Sequence, residues 1–435
     1  MTKVNLDKLN KEQKDAVAHG DGPLLIVAGA GTGKTTVITQ RIAWLIQQKK
    51  ATTEEILALT FTHKAADEME DRIDRLLSFG YTELWTLTFH SFCEKVLRDN
   101  ALDIGLPLDF KLLDDTSAWV LMRQNLEKFN LDYYKPLGNP SKFIHVLIKH
   151  FSKCKDQAVY PEDYLKHADS LKTNLTDLKE GTEIERLKEV ADAFHTYQQL
   201  LLDNSVLDFG DLINYCLKLF QKRPKILEKY RKKFKYILVD EFQDTNFAQY
   251  ELVKMLVAPN NNLTVCADDD QSIYKFRGAS FSNIIQFKKD FPKTKEVFLI
   301  QNYRSAQEIL DVSYNFIQAN NPDRLEYVSK LDKKLSANIK EAGVVEHLHF
   351  LTLNKEVDGV INKIINIHSK QGLTYSDFAI LVRANNHAVP FIRGLDRVGI
   401  PYQFLASKGL YSKPVVLDII SYFKLLDDYH ESSAC

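Results

Sequence analysis

Apolar and polar positions along this chain follow two rhythms. Short apolar runs at residues 24–27, 56–60, 85–88, 236–239, 263–266 and 297–300 have the length of strands buried in a sheet, and stretches with helical spacing follow them. That alternation predicts an α/β fold built on a parallel sheet. Between residues 106 and 204 the texture changes to helix-period apolar positions with frequent charges, punctuated at Pro107, Pro136, Gly138, Pro140, Pro161 and Gly181. This is the pattern of an inserted helical domain. Further on, alternation over 344–350 predicts a strand, 357–367 a helix, 378–382 a buried strand and 415–426 a strongly apolar helix, together the start of another α/β domain.

Composition narrows the setting. A chain of 435 residues exceeds one compact core, so two or three domains are expected. With 45% hydrophobic and 26% charged residues it is neither disordered nor fibrous. The net charge of −1 leaves any nucleic-acid partner to local patches rather than a global field. Cys93, Cys154, Cys216, Cys266 and Cys435 are odd in number, widely spaced and without a CxxC pair, as expected of reduced thiols in a cytoplasmic protein. No apolar run reaches membrane-spanning length, and the N-terminus has no signal-peptide core, so no membrane association is expected.

The chemistry concentrates where apolar runs end. LLIVAGAGTGKTT breaks from strand into a glycine-rich loop and then a helix, the context a phosphate loop requires. Gly29, Gly31 and Gly33 allow a tight turn that aims N–H groups at phosphate oxygens, Lys34 reaches the β- and γ-phosphates, and Thr35 is the candidate Mg²⁺ ligand. Ala28 stands where the general pattern places its first glycine. The run YILV is followed by Asp240 and Glu241, one carboxylate for Mg²⁺ and one to orient or deprotonate the attacking water. Gln271 is a candidate γ-phosphate contact, and Arg304 a candidate for neutralising charge on the transferring phosphoryl group. Upstream, Gln13 on a short helix has the amide needed to read an adenine edge, although a lone glutamine there also suits a solvated face. Phe61, Thr62, His63 and His90 follow strand ends and combine aromatic, hydroxyl and basic groups suited to single-stranded nucleic acid; ordinary strand caps use the same residues. Tyr274, Phe276 and Arg277 add rings and a cation a few residues from Gln271.

In order along the chain, LNKEQKDAV, AGAGTGKTT, TFTHKAADEM, TFHSF, LDFGDL, VDEFQDT, DDDQSIYKFRGA and QNYRS resemble the motifs of the UvrD/Rep/PcrA-like helicases of superfamily 1. The resemblance implies an ATP-dependent DNA helicase or translocase of 3′ to 5′ polarity, using ATP and Mg²⁺. It implies an ATP site of Gln13, Ala28, Gly29, Ala30, Gly31, Thr32, Gly33, Lys34, Thr35, Thr36, Arg41 and Tyr303, with Tyr303 stacked on adenine and Arg304 as an arginine finger. Single-stranded DNA and single-strand/duplex junctions would be the substrates, gripped by Phe61, Thr62, His63, His90, Tyr274, Phe276 and Arg277, with repair or replication proteins as partners. Alanine at position 28 is usual in that family, whereas His63, Ala267 and Phe276 replace its asparagine, glycine and tryptophan. The implied architecture is a first RecA-like ATPase domain at 1–105 and 205–295, an inserted all-helical accessory domain at 106–204, the N-terminal part of a second RecA-like domain at 296–412, and the start of a second helical insertion at 413–435. The family's later motifs are missing, so a truncated helicase with an incomplete second domain and exposed apolar surface near its C-terminal end is expected. A non-catalytic ATP- and DNA-binding module and the ATPase part of a helicase-nuclease are the competing assignments.

Overall fold

The computed structural model describes residues 6–77, 84–172, 178–272, 282–405 and 414–427, and the chain divides into units at 1–344 and 345–435. The first unit begins with α1 (Lys11–Val17), β1 (Leu24–Ala28), α2 (Lys34–Gln47), β2 (Ile56–Thr60), α3 (His63–Leu77), β3 (Trp85–Thr88), α4 (Phe89–Asp99) and α5 (Ala101–Ile104). The insertion follows as β4 (Lys111–Leu113), α6 (Asp115–Gln124), α7 (Ile144–Asp156), α8 (Pro161–Lys172) and α9 (Leu178–Asp203). The chain returns through β5 (Val206–Asp208), α10 (Phe209–Lys222), α11 (Pro224–Lys233), β6 (Tyr236–Val239), α12 (Phe247–Val257), β7 (Leu263–Ala267), α13 (Ser282–Asp290) and β8 (Lys295–Leu299). It continues with β9 (Gln301–Asn302), α14 (Gln307–Ile317), α15 (Leu325–Ser329) and β10 (Ser336–Ala337).

Six strands form one parallel sheet in the order β3-β2-β6-β7-β1-β8. Side chains alternate across it. Leu25, Val27, Leu57, Leu59, Ile237, Val239 and Val265 meet α4, α10, α12 and α13 on one face. Leu24, Ile26, Ala58, Leu238 and Cys266 meet α1, α2 and α3 on the other. This double cover explains why these strands read as apolar runs rather than alternating ones. It also leaves all six carboxyl ends on one edge, where β1 feeds the glycine loop, β6 feeds Asp240 and β7 feeds Asp268.

Among the described residues the regular elements of the insertion are helices apart from β4, which pairs in parallel with β5 and so ties its two ends together. Its own core includes Met122, Leu147, Phe151, Phe194 and Tyr197, with Phe151 and Phe194 stacked at 4.9 Å. Lys155 of α7 is buried and pairs with Asp208 at 2.6 Å and Asp211 at 2.9 Å, anchoring the insertion to the LDFGDL turn. A side chain at Gly210 would come within 2.9 Å of Lys155, so that turn needs its glycine.

The expected boundary after residue 295 falls inside β8, which pairs with β1 in the first sheet. The second unit holds α16 (Leu353–Gln371), α17 (Asn385–Val398) and α18 (Pro414–Asp427), with a small core of Val357, Ile361, Leu395 and Ile400. No strand forms over 344–350 or 378–382, against expectation. Apolar alternation becomes a strand only where a neighbouring edge accepts its hydrogen bonds, and no ladder is present in this unit among the described residues. On α18, Ile419, Tyr422, Phe423 and Leu426 are exposed at helical spacing.

Candidate nucleotide site and strand-end surface

The glycine loop is shaped by what crowds it. Gly31 and Gly33 have φ of +75° and +88°, in the left-handed region where glycine is favoured. A Cβ at Gly31 would lie 2.7 Å from both the Arg304 Cβ and the Asn302 Nδ2, and one at Gly33 would lie 3.0 Å from the Gln13 Nε2. Gly33 is the N-cap of α2 and offers no capping side chain. The first-turn N–H groups of Lys34, Thr35 and Thr36 therefore lack intrahelical acceptors and are free for an anion. Thr32 turns inward, donating from Oγ1 to the Gly29 carbonyl at 2.8 Å. Ala28 is fully buried at the end of β1, in register with Leu299. The Ala30 carbonyl accepts from Asn302 Nδ2 at 2.6 Å. Thr35 is half-buried, and its hydroxyl makes no hydrogen bond among the described residues.

The acidic side of the site is held by one strained turn. Glu241 has φ +47° and ψ +46°, costly for a non-glycine residue. That turn lets its N–H donate to Asp240 Oδ1 at 2.9 Å while its Oε2 accepts from Lys34 Nζ at 2.7 Å. Burial, reinforced by the Glu241 charge and opposed by Lys34, pushes the Asp240 carboxyl up to about 6. Burial works against the charge of Lys34, but Glu241 prevails and holds its pKa above the ordinary value. Gln243 Nε2 also donates to Glu241 Oε2, at 2.7 Å, and Gln243 Oε1 accepts the Asp268 N–H at 3.0 Å. Gln271 Nε2 donates to Asp268 Oδ2. Lys34, Glu241, Gln243, Asp268 and Gln271 thus form one continuous polar chain across the ends of β1, β6 and β7.

Gln13 lies over the other flank of the loop. Its Nε2 donates to the Thr32 carbonyl at 3.0 Å, while Asn10 Oδ1 accepts its N–H at 2.8 Å and its Oε1 accepts the Asn10 N–H at 3.2 Å. Tyr303 approaches from far along the sequence, its N–H on the Gly31 carbonyl at 2.9 Å and its hydroxyl accepting from Asn10 Nδ2 at 3.1 Å. Arg304 is exposed, and its guanidinium makes no ion pair among the described residues. Arg41 is not at the loop surface. It is fully buried and donates to the carbonyls of Ala16, Val17, His19 and Gly20 and to Thr264 Oγ1, closing the C-terminal end of α1. Buried and held by the backbone carbonyls at the end of α1, this guanidinium is committed away from the loop surface, so Arg41 supports Gln13 from behind.

At the ends of β2 and β3 a second surface forms. Thr62 Oγ1 accepts the Ala65 N–H at 3.1 Å and starts α3, Phe61 is half-buried, and His63 is exposed. The His90 ring stands edge-on to Phe209 with centroids 5.8 Å apart. Burial first, and the nearby His63 second, push His90 down to about 4. His90 is therefore neutral at physiological pH and contributes a ring edge, not the cation its sequence position suggested. In a pH titration followed by NMR, the His90 ring signals should stay at the neutral position down to about pH 5; a midpoint near 6.5 would contradict this burial. Tyr274, Phe276 and Arg277 lie outside the described residues.

The family model for the UvrD/REP helicase N-terminal domain matches residues 9–292. The chain belongs to the UvrD/REP helicase family. The UvrD-like helicase C-terminal domain model matches residues 297–435. Proteins named ATP-dependent DNA helicase PcrA from Staphylococcus aureus and Staphylococcus epidermidis are each 36% identical, over 97% and 96% of this chain and 54% of their own length. The chain thus spans about half the length of the curated relatives it matches.

For a UvrD/REP family chain, several residues at this site escaped sequence reasoning. Gln243 and Asn302 sit inside quoted motifs, VDEFQDT and QNYRS, yet their roles appear only in three dimensions. Asn302 Oδ1 accepts the N–H groups of Arg304 and Ser305 at 2.8 and 2.7 Å while its amide grips Ala30, so one side chain both shapes the turn and docks it. Phe209 of LDFGDL is 49% exposed beside His90. The available signal was an aromatic next to a helix cap. Lys333 and Arg324 carried no signal at all.

Proposed function

We propose that this protein is the motor portion of an ATP-dependent DNA helicase, hydrolysing ATP to move in the 3′ to 5′ direction on single-stranded DNA. The observation that carries this reading is the unbroken polar chain from Lys34 through Glu241, Gln243 and Asp268 to Gln271. It connects a phosphate-binding lysine to a candidate base and then to the edge of the segment bearing Tyr274, Phe276 and Arg277. The names of the relatives, ATP-dependent DNA helicase, support it.

The residues present fit ATP and Mg²⁺. Asp240 keeps Oδ2 without a hydrogen bond among the described residues, and the Thr35 hydroxyl is equally uncommitted beside the uncapped start of α2. These two would hold the ion, whose charge neutralises phosphate oxygens. Lys34 would exchange Glu241 for a phosphate oxygen, and the released Glu241 carboxylate would orient and deprotonate the attacking water. Gln13 and Tyr303, both fastened to Asn10, would hold the base, and Arg304 would approach the phosphates across Gly31. Phe61, Thr62, His63, His90 and Phe209 form the surface offered to DNA bases and backbone, with single-strand/duplex junctions as natural loading points. Repair or replication proteins are the expected partners in a cytoplasmic setting. The described cysteines are buried and unpaired, and no described helix is long and apolar enough to cross a membrane.

DNA-dependent ATP hydrolysis tests the reading. The 435-residue chain is expected to hydrolyse ATP with Mg²⁺ and to be stimulated by single-stranded DNA. Nucleotide binding with turnover at background, with or without DNA, would instead favour a binding module.

A further inference from the structure

The stretch from Arg324 to Ala337 touches the nucleotide site at three places. Ser336 and Ala337 of β10 pair with Gln301 and Asn302 of β9. Leu335 roofs the glycine loop, its methyls 2.8 and 2.9 Å from where a Gly29 Cβ would stand. Lys333, buried at 7% exposure, sends Nζ into the acidic run after β7, 3.3 Å from Asp268 Oδ1, 3.0 Å from Asp270 Oδ2 and paired also with Asp269. Arg324 grips Asp270 through two hydrogen bonds of 2.7 and 2.8 Å, and the Leu325 N–H donates to Asp269 Oδ2 at 2.8 Å. Three adjacent carboxylates resemble a cation site, but an ammonium already stands at their centre.

Asp268 is the junction. One of its oxygens faces Lys333 and the other accepts from Gln271 Nε2, while its N–H holds Gln243, which in turn holds Glu241. A carboxylate only accepts hydrogen bonds, so it fixes the Gln271 amide with NH₂ inward and Oε1 outward, free to accept from a water. Without the ammonium, Asp268 would lie buried beside Asp269 with no cation bonded to either, Arg324 being held by Asp270, and would move from the position that keeps the Gln271 amide in that orientation. We propose that Lys333 is a positioning residue for ATP hydrolysis, holding Asp268 so that Gln271 and, through Gln243, Glu241 keep their reactive orientation. The proposal rests on the ATPase reading above.

The test compares steady-state ATP hydrolysis by the full chain, with Mg²⁺ and single-stranded DNA, in Lys333→Met, Lys333→Arg and Lys334→Met. Among the described residues the Lys334 ammonium meets exposed Asp311 and the Tyr314 ring, away from the acidic run, and it serves as the control. Lys333→Met should lower kcat roughly 10- to 100-fold, the scale seen when groups orienting a reactive residue are lost, with KM for ATP within about threefold of wild type. Lys333→Arg should recover most of the activity. If Lys333→Met does not fold, as judged by circular dichroism melting, Lys333→Gln keeps donors without the charge and should show the same split. In a Gln271→Ala background the Lys333 substitution should cost less than it does in the wild-type chain, because one of its two routes, the Gln271 amide, is already gone while the route through Gln243 to Glu241 remains. Unchanged kcat in Lys333→Met, or losses that multiply independently with Gln271→Ala, overturn the positioning role and leave the ATPase reading standing. A parallel loss of nucleotide binding and melting temperature in every Lys333 variant also overturns it, in favour of a purely structural lysine. Absence of turnover in the wild-type chain overturns both.

Discussion

Glu241→Gln is expected to leave ATP bound and essentially unhydrolysed. Glutamine keeps the shape of the side chain and an acceptor for Gln243, but loses the charge that deprotonates water. A positioned general base contributes roughly 10²- to 10⁴-fold, and turnover should fall by that factor. Binding should not weaken. Glu241 now sits 2.7 Å from Lys34 and competes with phosphate for it, so removing the carboxylate frees the lysine and should tighten ATP binding. Single-turnover hydrolysis beside fluorescent-nucleotide titration separates the two effects. Turnover within about tenfold of wild type would remove Glu241 from the role of base.

Arg41→Ala should produce the largest loss of stability among the residues near this site. The substitution deletes every hydrogen bond from a fully buried guanidinium, strands the carbonyls of Val17, His19 and Gly20, leaves that of Ala16 with only backbone N–H partners, and opens a cavity between α1, α2 and β7. Buried acceptors left unpaired cost about 1–3 kcal/mol each where water cannot reach them, so a net loss of about 3 kcal/mol or more is expected after partial relaxation. Urea unfolding of the two proteins measures it. Because α1 carries Gln13, KM for ATP should rise as well, even though Arg41 touches no nucleotide. Arg41→Met distinguishes the causes, since it restores volume without donors and should remain nearly as unstable. Full recovery by methionine would mean that volume, not carbonyl satisfaction, holds α1.

The parallel sheet was legible because a strand covered on both faces has to be apolar at every position, and runs such as LLIVA and YILV can be seen without knowing their neighbours. The glycine loop was legible because positive φ restricts residue type, and Gly31 and Gly33 occupy the positions that need it. Arg41 misled for the opposite reason. An arginine on the helix after a phosphate loop has the right charge for nucleotide, and only the packing of α1 shows where its donors go. His90 misled similarly, because sequence carries its ring but not the burial that keeps the ring neutral. The segments at 344–350 and 378–382 show the limit of periodicity, since alternation supplies one face of a strand and never its partner.

Local order along the chain was enough to determine the α/β class, the phosphate loop, the Asp240–Glu241 pair and the motif series of the family, because each depends on residues within a few positions of one another. Tertiary structure alone decided which side chains meet. Glu241 reaches Lys34 across 207 positions, Asn302 grips Ala30 across 272, and Lys333 enters the acidic run across 65. Such contacts are set by strand order, and the parallel sheet brings the ends of β1, β6 and β7 to one edge whatever their separation in sequence. A buried lysine among three carboxylates is invisible in one dimension because a charged residue in a loop reads as solvated until the fold removes the water around it.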